Sequence, residues 1–183
     1  MDPQRRALLA LQLTAGPLVL VSYVVGFVVW PDATAMMWGG VPESLRGLYT
    51  AWMFVAAAGY FAYSIPLTFR AEASGARMLG GRGYPSLLAA YALMLVCSAL
   101  WLPLTKWHLG DPSALRFAVV CVDLLAVALG SLAILGATLT LEPRLPARAR
   151  ILSVAGAAAF CVQTVLLDGL LWPALWLARG PGL

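Results

Sequence analysis

Two acids, Asp123 and Asp168, lie inside long apolar runs, where no water hydrates a charge. A carboxyl group in such a place does one of three things: it hydrogen-bonds a neighbouring helix, fixes a ligand's polar atom, or relays protons. Asp123 is about ten residues into its run and Asp168 about nine before the end of its own. At about 1.5 Å per residue, both come to about 14 Å below the same surface. They are therefore expected to face each other or to share a cavity. At α-helical spacing Asp168 shares a face with Thr164, Cys161 and Trp172, and Arg116 lies two turns before Asp123.

Aromatic residues gather at the same end. Trp30, Trp38, Trp52, Trp101, Trp107, Trp172 and Trp176 all fall toward one side of the runs. Tryptophan favours headgroup depth, so one reading is an interfacial belt. A belt forms at both interfaces, however, and here only one side is populated, which fits an aromatic-lined mouth equally well. Tyr49, Trp52, Ala56, Tyr60 and Tyr63 recur at spacings of three and four, which places them on one helical face. That stripe is either packing or pocket wall. The candidate ligand-binding residues are Trp38, Tyr49, Trp52, Tyr60, Trp101, Asp123, Asp168 and Trp172.

Other chemistries lack their residues. His108 is the only histidine, so a haem with two axial histidines is impossible. It sits near Lys106, the only lysine, and reads as an interfacial loop residue. Cys97, Cys121 and Cys161 are isolated within apolar runs and form no CxxC pair; they read as small hydrophobes. There is no phosphate-cradling glycine motif and no nucleophile elbow. No catalytic or metal-ligating set is expected, and no cofactor.

Five apolar runs must position these residues. Of the 183 residues, 62% are hydrophobic and 11% charged, and mean hydropathy is +0.86. Soluble domains carry about 25% charged residues, so too little polar surface remains to cover a water-facing globule. A bilayer core of about 30 Å needs roughly 20 apolar residues of helix. The runs cover about residues 7–30, 45–69, 85–104, 113–139 and 151–177. The expected fold is all-α, a polytopic bundle of five transmembrane helices forming one domain over 1–183. The connectors, 31–44, 70–84, 105–112 and 140–150, leave no room for a soluble domain. The 70–84 connector, rich in glycine, reads as solvated and mobile.

The first run follows Arg5 and Arg6, and Ala33-Thr34-Ala35 resembles a signal-cleavage site. At about 24 residues the run exceeds the usual apolar segment of a signal peptide, about 7–15 residues, so it is expected to be retained; cleavage would leave four helices. The net charge of +4 sits between the runs and reads as topology and contact with lipid headgroups, not nucleic acid. Eight arginines (5, 6, 70, 77, 82, 144, 148, 150) lie on one side against Arg46, Lys106, Arg116 and Arg179 on the other. That asymmetry predicts the N-terminus inside and the C-terminus outside. Small-residue stretches, Ala56-Ala57-Ala58-Gly59, Ala126-xxx-Gly130 and Ala155-Gly156-Ala157-Ala158-Ala159, allow backbones to approach, within the bundle or across a homodimer.

Ser98-Ala99-Leu100-Trp101-Leu102-Pro103-Leu104 is similar to the Asn-Ala-Leu-Trp-Ser-Pro-Leu type of segment of the TspO/MBR tryptophan-rich sensory family, which includes the translocator protein. Val122-Asp123-Leu124-Leu125 and Gly47-Leu48-Tyr49-Thr50-Ala51-Trp52-Met53 resemble stretches of that family's fourth and second helices. Val41-Pro42-Glu43-Ser44 stands where the family has Pro-Pro-x-Trp, and 168–173 has no counterpart. This distant resemblance implies a five-helix protein that binds, transports or senses a flat lipophilic ligand such as a porphyrin or sterol, with 31–44 as a lid. Two alternatives stand beside it. One is a sterol- or lipid-modifying isomerase using Asp123 and Asp168 as acid and base. The other is a structural or assembly subunit of a larger membrane complex.

Overall fold

The computed structural model describes residues 1–178, apart from the side chain of Met36; Arg179, counted above for topology, lies outside the described residues. The elements are α1 (Pro3–Val29), α2 (Ala33–Trp38), α3 (Glu43–Phe69), α4 (Pro85–Gly110), α5 (Ala114–Thr140) and α6 (Ala147–Cys161). Helix α6 runs without a break into a π-helical segment, Val162–Leu171, and then α7 (Trp172–Ala178). The fold is all-α, and no strand occurs among the described residues. Five helical spans are long and apolar enough to cross a membrane: α1, α3, α4, α5, and the continuous Ala147–Ala178. Their outer faces carry large apolar side chains in the open, with Val28 79%, Leu115 74% and Phe54 73% exposed. Water would make such faces costly, whereas lipid tails cover them. The chain is an integral, multi-pass membrane protein.

Local chemistry sets the helix ends. Asp2 caps α1, its Oδ1 accepting from the Gln4 amide at 2.8 Å, with Pro3 in the first turn. Ser113 caps α5, its Oγ accepting from the Arg116 amide at 3.3 Å. Asp111 pairs with the Arg116 guanidinium at 2.9 Å. The third span reaches Gly110, so Trp107 and His108 are helical rather than in a loop. Pro103 removes one backbone bond without ending a membrane helix. The 31–44 connector contains α2, a short helix lying across the tryptophan end.

Helix α4 lies between α1 and α5, while α3 packs on α6. The α3–α6 crossing is backbone to backbone. A Cβ at Gly59 or at Gly156 would come within 2.6 Å of the other's carbonyl oxygen. Only glycine fits this close approach, which explains the small residues on both helices. A Cβ at Gly130 would likewise press on Ala90 and Met94 of α4.

The arginine-rich end is folded too. Arg77 and Glu142 exchange two backbone hydrogen bonds of 2.8 Å, and Leu79 N–H donates to Thr140 Oγ1 at 2.9 Å. Ala71, Ala73, Ala76 and Met78 are buried. The 70–84 connector is thus paired to the 141–146 connector, with its buried small residues packed beneath the helix ends and most of its other residues exposed, as the solvated reading expected. Arg5 donates through Nε to Thr68 O at 2.8 Å, and its guanidinium also reaches Phe69 O. It satisfies carbonyls that the end of α3 leaves without partners.

Candidate functional site

A cavity of about 330 Å³ opens in the tryptophan half of the bundle, between α1, α2, α3, α4, α5 and the π-helical segment. Of the residues predicted from sequence, Trp38, Tyr49, Trp101, Asp168 and Trp172 line it. Trp52, Tyr60 and Asp123 do not line it.

The walls are aromatic. Tyr23 of α1 packs on Trp101 with ring centroids 5.9 Å apart, and Trp101 meets Trp172 edge-on at 6.2 Å. Trp38 meets Tyr49 edge-on at 6.5 Å. Two hydrogen bonds hold this wall together. Tyr49 O–H donates to Leu167 O at 3.1 Å. Trp172 Nε1–H donates to Met37 O at 3.0 Å, which fastens α2 to the last span. The expected lid is therefore a helix turn, with Met37 and Trp38 facing the cavity.

The polar floor comes from the π-helical segment. Gln163 Nε2 donates to Asp168 Oδ1 at 2.8 Å. In an α-helix, residues five apart point about 140° away from each other. The i→i+5 winding of a π-helix brings them nearly into line. A Cβ at Gly169 would lie 2.9 Å from Thr164 O, so this tight register suits a glycine there. Pro173, which has no N–H to give to the preceding turn, follows directly. Such segments are rare and recur at functional sites.

Two buried polar atoms of lining residues, Trp101 Nε1 and Gln163 Oε1, have no hydrogen-bond partner among the described residues. Six further buried side-chain atoms, on residues that do not line the cavity, also lack a partner among the described residues, among them Tyr60 Oη, His108 Nδ1 and Asp123 Oδ2. Asp168 Oδ2 accepts no hydrogen bond from the described residues.

The three predicted residues outside the cavity pack on neighbouring helices, although Asp123 Oδ2 and Tyr60 Oη have no hydrogen-bond partner among the described residues. Asp123 is buried beside Cys97 of α4, within hydrogen-bonding reach of its thiol. Its neighbour Leu124 and then Val127 carry the cavity face of α5. One helical step of about 100° turns Asp123 toward α4 instead. The expectation that the two acids share one cavity is thereby corrected. Trp52 Nε1–H donates to Ala159 O at 3.1 Å, bridging α3 and α6. Tyr60 belongs to a ring cluster with Tyr63 at 5.5 Å and Phe160 at 6.2 Å.

Sequence reasoning passed over Tyr23, Met37 and Gln163, which also line the cavity, as do Thr164, expected on the face of Asp168, and Ser98. Gln163 had a signal, as an amide inside an apolar run, but α-helical spacing sets it away from Asp168. His108 is buried outside the cavity, its ring 5.6 Å from Phe117 and 5.5 Å from Trp176. No group of three side chains able to hold a metal occurs among the described residues. Comparison with protein-family models, curated proteins and solved structures gives no match.

Proposed function

We propose that this protein binds a flat lipophilic molecule with a small polar group, such as a sterol or a porphyrin, in the aromatic cavity. It would do so as a carrier or sensor in the membrane rather than as an enzyme. The observation that carries this reading is one cavity combining four aromatic walls, Trp38, Tyr49, Trp101 and Trp172, with a single polar floor, Gln163–Asp168. Ligand sites are mostly apolar with a few placed polar groups, at about 300–1,000 Å³. At about 330 Å³ this one admits part of such a ring system.

Access from lipid supports the same reading. Leu20 of α1 and Ala57 of α3 line the cavity, yet Leu20 is 69% exposed and Ala57 is exposed as well. The wall is thin between α1 and α3, where membrane lipid would lie. The rest of the ligand can extend through that side.

An isomerase using two acids finds less support, since only Asp168 is at the cavity. We assign the chain, by its Ser98–Leu104 segment and its single aromatic end, as a distant relative of the tryptophan-rich sensory family. The N-terminus is assigned to the inside by the arginine asymmetry. Titration of the purified protein in nanodiscs with cholesterol and with protoporphyrin, read by tryptophan quenching, tests the binding. Saturable quenching weakened about tenfold or more in Trp101→Ala supports it, by loss of a stacked aromatic wall. Equal affinity in Trp101→Ala and Trp172→Ala for both ligands overturns it.

A further inference from the structure

Among the described residues, Asp168 is the only carboxyl group on the cavity wall, and no arginine, lysine or histidine of those residues lines it. Among the described residues Asp168 has no ion pair. Two cations at this end are engaged elsewhere. Arg46 lies over the Trp38 ring at 5.8 Å and reaches Val41 O, and Arg116 lies over Trp107 at 4.7 Å and pairs with Asp111.

The free polar atoms of the floor are acceptors, while on the wall the Trp101 Nε1–H donor is also without a partner among the described residues. Asp168 lines the cavity and its Oδ2 accepts no hydrogen bond from the described residues, and Gln163 Oε1, on a residue 8% exposed, has no partner among them. The Gln163 Nε2 bond to Asp168 Oδ1 fixes the amide on the cavity floor. Around this pair of acceptors stand the faces and edges of Tyr23, Trp101 and Trp172. A carboxylate without a cation, an unfilled acceptor and several aromatic rings together match one chemistry. An ammonium group supplies three N–H donors, cancels the buried charge and is attracted by aromatic rings.

We propose that the polar group this cavity selects is a protonated amine on a flat apolar body. A ligand carboxylate is disfavoured, because it would lie against Asp168 with no cation to offset the repulsion. This selectivity rests on the pocket reading above and narrows its ligand class. A porphyrin would have to keep its acid groups outside the cavity.

Three probes with the same ring separate charge from shape: pyrenemethylamine, pyrenemethanol and pyrenecarboxylate. Each is titrated into the full chain in neutral-lipid nanodiscs, with empty nanodiscs as the partition control, and energy transfer from tryptophan is read. The amine is expected to bind on the order of tenfold tighter than the alcohol, and the carboxylate weakest. Asp168→Asn is expected to bring the amine to the alcohol's level, while Asp123→Asn leaves the ranking unchanged. If Asp168→Asn does not fold, the ranking in the unaltered protein still decides. A carboxylate that binds as tightly as the amine overturns the selectivity, as does an amine unaffected by Asp168→Asn. If all three bind equally but depend on Trp101, the pocket stands and the charge preference falls. If none binds saturably, both fall.

Discussion

Gln163 and Asp168, five residues apart, are joined by a 2.8 Å hydrogen bond along one edge of a π-helical segment. Regular α-helical winding would point them away from each other. The segment therefore creates the polar floor of the cavity. Gln163→Leu keeps the volume and removes the bond. It is expected to weaken binding of a flat ligand with a polar group several-fold, by about 1 kcal/mol, while a purely apolar probe such as pyrene binds as before. Parallel titrations of the two probes measure this.

The glycine contact between α3 and α6 makes a stability prediction. A Cβ at Gly156 would come 2.6 Å from Gly59 O, and Trp52 bridges the same two helices through Ala159 O at 3.1 Å. Gly156→Leu is expected to part the helices and cost about 2–4 kcal/mol. Thermal unfolding in detergent reads this as a large drop in midpoint. Gly47→Ala, where a Cβ within α3 meets nothing within 4 Å, is the control and is expected to keep or slightly raise the midpoint.

Trp172 both walls the cavity and holds α2 through Met37 O. Trp172→Phe keeps a ring and removes the Nε1–H donor. The bond contributes about 1 kcal/mol. Hydrogen exchange of the amides in 33–41 is expected to rise about fivefold, with faster ligand dissociation. Unchanged exchange across that segment would show that α2 is held by other contacts.

The spans were legible because apolar length alone sets them, and all five sit where hydropathy put them. The far end of α4 was not, since Pro103 reads as a stop in water yet is tolerated in lipid. The folded 70–84 connector was hidden because its backbone pairing with Glu142 comes from a segment about 60 residues away and leaves no local signal. Within the site, Trp38, Tyr49, Trp101, Asp168 and Trp172 could be found from residue type and depth. Gln163 could not be joined to Asp168, because α-helical periodicity sets residues five apart on different faces and only the π winding aligns them. Asp123 misled for the opposite reason: depth was readable, but rotation about the helix axis was not.

Access between α1 and α3 makes a kinetic prediction. Ala57 is exposed and lines the cavity from that side. Ala57→Phe is expected to slow association of a membrane-dissolved ligand on the order of tenfold, with a smaller change in equilibrium affinity. Stopped-flow mixing of protein nanodiscs with ligand-loaded vesicles reads the rate. An unchanged rate would place the route elsewhere, for example beneath α2.

The most direct test is photolabelling. A sterol carrying a diazirine on its ring system is irradiated with the protein in nanodiscs, and adducts are mapped by mass spectrometry. Labelling concentrated on Tyr23, Met37 and Met53, competed away by unlabelled sterol and reduced in Trp101→Ala, is the result that the cavity predicts. Uncompeted labelling confined to lipid-facing residues such as Phe54 and Leu115 would contradict it.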